Sequence, residues 1–165
     1  MALRAGARCL PGHIVPPAGR HDSCAAVCAS GGHARRAEAL LHAGQPDAAH
    51  TVLAESLAFI HTSGEHWWEA ECHRLWGECC LARKGPKREA GEAVARLQHA
   101  LDIARHQQAR SLELRVAMSL SRLRQLQGRH QEARQVLAEV YGCCTEGFDT
   151  ADLREARALL EALAR

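Results

Sequence analysis

The sequence predicts an all-α protein built from stacked helical hairpins, and three observations predict it. The composition leans on Ala, Leu, Arg, Glu and Gln, all good helix formers, while aromatic residues make up only 4%. From His33 onward, long segments with apolar residues at helical spacing alternate with short breaks, most of them holding Gly or Pro. Finally, one small-then-large pattern recurs: Ala49, Ala93 and Ala133 are each followed four residues later by Leu53, Leu97 and Leu137.

The breaks fall at Gly44-Gln45-Pro46, Thr62-Ser63-Gly64, Lys84-Gly85-Pro86, near Gln107-Gln108, at Gly128-Arg129 and from Gly142 to Asp149. Pro46 suits the first turn of a helix, where its missing N–H costs nothing. Between the breaks, each segment has one apolar face. Ala49, Leu53, Leu57 and Ile60 form it in 46–61, and Ala93, Leu97, Ala100, Leu101 and Ala104 in 88–106. In 130–142 it is Ala133, Val136, Leu137, Val140 and Tyr141, and in the last segment Leu153, Ala156, Leu160 and Leu163. Lys84 to Gly91 reads as a longer, charged loop.

The Ala–Leu pairs recur at spacings of 93 − 49 = 44 and 133 − 93 = 40 residues. Both exceed the roughly 34 residues of a standard tetratricopeptide unit. A small residue on the second helix of a hairpin lets the first approach, and the Leu one turn later fills the gap between hairpins. An ordinary antiparallel bundle would also show amphipathic helices. The recurrence favours a tetratricopeptide-like α-solenoid of about three hairpins plus a C-terminal helix, over residues 34–165. Residues 1–33, with Pro11, Pro16, Pro17 and five glycines, have no sustained hydrophobic period. They read as a disordered or poorly ordered segment in which 23–30 form two turns of helix at most.

Charge and hydropathy narrow the function classes. The net charge of +2 is uneven, with five Arg against one Asp in 1–36 and five acids against three Arg in 146–165. The middle balances, and its charges alternate in sign along the helices as a solvated face would, so no nucleic-acid partner is expected. No apolar run approaches the ~20 residues of a membrane span, and a cytoplasmic location is expected. There the eight cysteines would be reduced thiols.

Catalytic and metal readings find little support. Gly85-Pro86-Lys87 lacks the first glycine and the hydroxyl residue of a phosphate loop. Cys72, His73, Cys79 and Cys80 share one helix, but Cys72 and Cys79 lie about 10 Å apart along it, too far to share one ion. Cys72 and His73, adjacent on that helix, point about 100° apart and make no nucleophile pair. Cys24 and Cys28, with His13, His21 or His33, would meet one ion only if that stretch were helical. The cysteines of the helix read instead as small core residues. No catalytic, cofactor-binding or metal-ligating residue is assigned, and no cofactor is expected.

Three of the six aromatic residues are Trp67, Trp68 and Trp76. Trp68, Cys72, Leu75 and Cys79 share one helical stripe, which makes Trp68 a core residue. Trp67 and Trp76 lie off it and are the candidate partner-binding residues.

Several separated blocks carry a family resemblance. Gly64-Glu65-His66-Trp67-Trp68-Glu69-Ala70-Glu71, His73-Arg74-Leu75-Trp76-Gly77-Glu78, Ser111-Leu112-Glu113-Leu114-Arg115 and the stretch Tyr141 to Leu153 resemble the C-terminal helical repeats of large bacterial signalling ATPases. In that family the repeats follow a nucleotide-binding ATPase module. The N-terminus is often a class III adenylate/guanylate cyclase or a winged-helix domain. The resemblance covers about residues 34–165 and reaches none of the catalytic domains. The chain departs from it at Cys72, Cys79, Cys80, Cys143 and Cys144, where the family tends to have large apolar residues, and at Trp76, near which it tends to be polar.

The resemblance implies a non-catalytic interaction or regulatory module whose partner is a protein or the ATPase module. The rival reading is a cysteine-based redox or metal sensor on a helical scaffold. The abrupt start of the family-like sequence near residue 34 suggests a piece detached from a larger protein. Its first hairpin would then be uncapped, with Leu40 and Leu41 exposed and prone to self-association.

Overall fold

A computed structural model describes residues 23–83 and 87–164. It is all-α, with seven helices and no strand among the described residues. The helices are α1 (Ser23–His42), α2 (Pro46–Ser63), α3 (Glu69–Ala82), α4 (Lys87–His106), α5 (Arg110–Leu126), α6 (His130–Gly142) and α7 (Ala151–Leu163), with a short 3-10 turn at His66–Trp68 before α3.

The helix α1 crosses the boundary drawn at 33/34, because Gly31 and Gly32 lie inside it and do not break it. Gly31 has a packing reason: a Cβ there would sit 2.8 Å from Nε1 and Cε2 of Trp68. One of the two glycines is thus a seat for an indole. The helix α4 likewise begins at Lys87, so the charged loop expected from 84 to 91 is helical from 87 onward. The expected features at residues 1–22 and 84–86 lie outside the described residues.

Helices pair as α1 with α2, α3 with α4 and α5 with α6, and α7 packs on both α5 and α6. Successive pairs meet through α2 on α3 and α4 on α5, and the leading helices also touch in order, α1 to α3, α3 to α5 and α5 to α7. The buried core follows the same order. One cluster joins α1, α2 and α3 through Ala37, Leu53, Ile60, Cys72 and Leu75. The next joins α3, α4 and α5, and the third joins α5, α6 and α7. Trp76 packs against the first two clusters and Val136 against the last two.

The recurrent Ala–Leu pairs are fully buried in all six positions, and all but Ala133 belong to these clusters. Their small residues do what the spacing suggests. A Cβ on Gly77 of α3 would come within 2.8 Å of Leu97 Cγ and 3.3 Å of the Ala93 carbonyl oxygen. At the equivalent crossing of α5 and α6, Ser121 Oγ donates a 2.8 Å hydrogen bond to the Ala133 carbonyl. Leu40 and Leu41 are half-buried against the first cluster, and so do not form the exposed edge expected of them. Burial wins because α2 and α3 already cover the side of α1 on which they lie.

Candidate functional site

Two places on the molecule gather polar chemistry. The first is the face where the leading helices meet. Glu71 and Arg74 lie one turn apart on α3, and Glu78 follows one turn later, so all three share a face. Arg74 grips Glu71 through both oxygens, Nε to Oε2 at 2.8 Å and Nη2 to Oε1 at 2.7 Å, and reaches Glu78 at 2.6 Å. From α5, Arg115 pairs with Glu71 at 3.0 Å and with Glu38 of α1 at 2.8 Å, while Ser119 donates to Glu78 at 2.7 Å. Arg122 of α5 extends the row to Glu155 of α7.

Glu71 and Arg74 are 2% and 5% exposed, so these charges are stable there only because they are paired. Burial pushes the Glu71 carboxyl up, but the hydrogen bond from Arg74 and the charges of Arg74 and Arg115 outweigh it and hold the group below its usual range. Burial likewise opposes the Arg74 charge, and Glu71, Glu78 and Glu38 more than restore it.

The second place is an open groove of about 640 Å³ where the His66–Trp68 turn faces the last two turns of α4. Trp67 and Ile103 supply its apolar surface, and His66, Glu69, His99 and Asp102 its polar surface. Two hydrogen bonds fix the walls. Gln107 Nε2 donates to the His66 carbonyl at 2.7 Å, and His66 Nδ1 lies 2.8 Å from Glu69 Oε2. Behind the groove, His73 is buried and its ring meets His99 edge-on, with centroids 4.7 Å apart. Burial, with His99 and Arg96 beside it, lowers the His73 pKa to about 4, so that imidazole is neutral near pH 7.

The structure does not bring the two candidate tryptophans together. Trp67 lines the groove. Trp76 sits between α2 and α4, its ring 4.2 Å from that of His50 and 4.4 Å from the Arg96 guanidinium, with Nε1 donating to Glu92 at 3.2 Å. It is half-buried there.

Among the cysteines, Cys72, Cys79 and Cys80 are buried, while Cys143 is exposed and Cys144 partly so. Burial pushes the Cys72 thiol up to about 11, against the Cys72–Ser56 hydrogen bond, and the Cys79 thiol up to about 12. Neither has thiolate character at neutral pH. Among the described residues no group of three or more His, Cys, Asp or Glu is placed to hold a metal ion. No helix among them is long and apolar enough to cross a membrane.

The Glu38–Glu71–Arg74–Glu78–Arg115 network is not among the site residues expected from the sequence. Its signal was present: Glu71, Arg74 and Glu78 at i, i+3 and i+7 on a helix whose other residues are mostly apolar.

No protein-family model, no curated protein and no solved structure matches this chain.

Proposed function

We propose that the chain is a tetratricopeptide-like stack of hairpins that acts as a non-catalytic interaction and regulatory module, of the kind that follows the ATPase module in bacterial signalling ATPases. The observation that carries the reading is the ordered contact of the leading helices α1, α3, α5 and α7. A bundle closed around one core would not hold them in file along one face, whereas a stack of repeats does. The polar network on that face fixes neighbouring hairpins against each other. The sequence blocks that resemble the repeats of signalling ATPases supply much of that network, including Glu71, Arg74, Glu78 and Arg115.

The test uses the purified chain with the nucleotide-binding module of such an ATPase. The chain alone should neither hydrolyse ATP nor cyclise it. Mixed with the module it should bind with a dissociation constant on the order of micromolar and change the module's ATP turnover. Nucleotide turnover by the chain alone, or the absence of both binding and any change in turnover, would remove the reading. The thiol-sensor alternative has less support, since burial suppresses the thiolate at Cys72 and Cys79.

A further inference from the structure

We propose that the groove beside Trp67 is a seat for an arginine side chain of a protein partner, an inference that rests on the interaction reading above and names the chemistry that one of its contacts would use. Elsewhere on the molecule the carboxylates that line helix contacts are paired with arginine, as in Arg105–Glu113, Arg124–Glu132 and Arg122–Glu155. The groove has two carboxylates, Glu69 and Asp102, and no Arg or Lys among its lining residues. Glu69 spends one oxygen on His66, and Asp102 has no partner among the described residues. The groove also lies at the C-terminal end of α4, where the carbonyl dipoles favour a positive charge.

The apolar surface decides which cation fits. Trp67 is half-buried and lines the same groove as Asp102 and Ile103. A planar guanidinium covers an indole and still directs a fork of N–H donors at a carboxylate, while an ammonium is a compact, strongly hydrated charge that does the first less well. The walls are held open by the Gln107–His66 and His66–Glu69 contacts, so the seat is formed in advance.

The probe is a blocked pentapeptide, Gly-Ala-Arg-Ala-Gly, titrated into the full chain and read on the indole N–H NMR signals. The Trp67 signal should shift saturably while that of Trp76 stays in place. Replacing the peptide's arginine by citrulline, which keeps the shape and removes the charge, should weaken binding at least about fivefold, and Asp102→Asn should do the same. Asp102 is exposed, so that variant should fold, and an unchanged melting curve checks it. Equal binding of the citrulline peptide, no effect of Asp102→Asn, or shifts confined to Trp76 would overturn the proposal. The chain's own Arg4, Arg8 and Arg20 are the rival occupant. If the peptide binds only after these three are changed to Gln, the groove serves the chain itself and the partner proposal fails. Should Asp102→Asn leave binding to the ATPase module intact and also leave peptide binding intact, the interaction reading stands and this one falls.

Discussion

Arg115 on α5 reaches Glu38 on α1 across 77 positions of sequence, with 2.8 Å between guanidinium and carboxylate. The contact passes over α3, whose Glu71 also accepts from Arg115 at 3.0 Å. A single guanidinium therefore ties together α1, α3 and α5, and Arg74 also holds Glu71. This makes the charged network a structural joint as well as a surface.

The joint should be costly to break from one side only. Arg74→Leu leaves Glu71 buried without its two-pronged partner, and the expected loss is about 3–5 kcal/mol in denaturant unfolding. Arg74→Leu combined with Glu71→Leu should recover much of it, because the cost lies in the unpaired charge. Arg115→Gln, at a partly exposed position, should cost only about 0.5–1 kcal/mol. A double variant no more stable than Arg74→Leu would show that the pair is not the source of the loss.

The pH dependence separates two buried groups. The folded His73 pKa is lowered from 6.5 to about 4, so the unfolded chain binds the extra proton first as pH falls. Stability should be undiminished above pH 6.5 and fall progressively between 6.5 and about 4, by on the order of 2–3 kcal/mol. Glu71 is lowered from 4.5, so its contribution is present above that value and is lost only as pH drops through its folded value. His73→Gln should flatten the upper part of the curve and leave the lower part. A curve unchanged by that substitution would mean His73 is not held neutral.

Much of the helical framework could be read from the sequence, because burial follows the apolar period closely. Ala49, Leu53, Ala93, Leu97, Ala133 and Leu137, picked by spacing alone, are all fully buried. What was not legible depended on contacts between distant segments. Gly31 falls in the stretch that reads as poorly ordered, because its purpose, the indole of Trp68, lies far along the chain. The contacts of Trp76 with the ring of His50 and the guanidinium of Arg96 come from other helices and are not readable from its own segment. Trp67 was picked out, but the acids that make its groove selective, Glu69 and Asp102, come together only when α3 packs on α4.

Leu137 offers the plainest test of the helix register. It is fully buried in the cluster that joins α5, α6 and α7. Leu137→Asp should cost several kcal/mol, on the order of the whole stability of a small domain, and lower the thermal midpoint accordingly. An unchanged midpoint would place that side chain in solvent.

Thiol chemistry should divide along burial. With a thiol reagent at about pH 7.5, Cys143 should label in the native protein, whereas Cys72, Cys79 and Cys80 should label only after unfolding. Peptide mapping by mass spectrometry identifies the sites. Fast native labelling of Cys72 or Cys79 would show that the core of α3 opens readily, and would revive the thiol-sensor reading.

One turn recurs along the chain with a single residue changed. After α1, α4 and α5 the chain makes the same left-handed step, with φ of 71° at Gly44, 55° at Gln108 and 76° at Gly128. In each, the next N–H bonds back across the turn: Gln45 to the Leu40 carbonyl, Ala109 to that of Ala104 and Arg129 to that of Arg124, at 2.9 to 3.0 Å. Gly44 and Gly128 meet the conformation without steric cost, while Gln108 places a Cβ against the following carbonyl. Gln108→Gly should therefore stabilise the protein by about 0.5 kcal/mol, the relief of strain being partly offset by the greater freedom glycine has in the unfolded chain. Gly128→Ala should cost about 1 kcal/mol by the reverse argument. Paired thermal melts of the two variants measure both signs. If Gln108→Gly destabilises instead, the glutamine side chain makes a contact that outweighs the strain of its backbone.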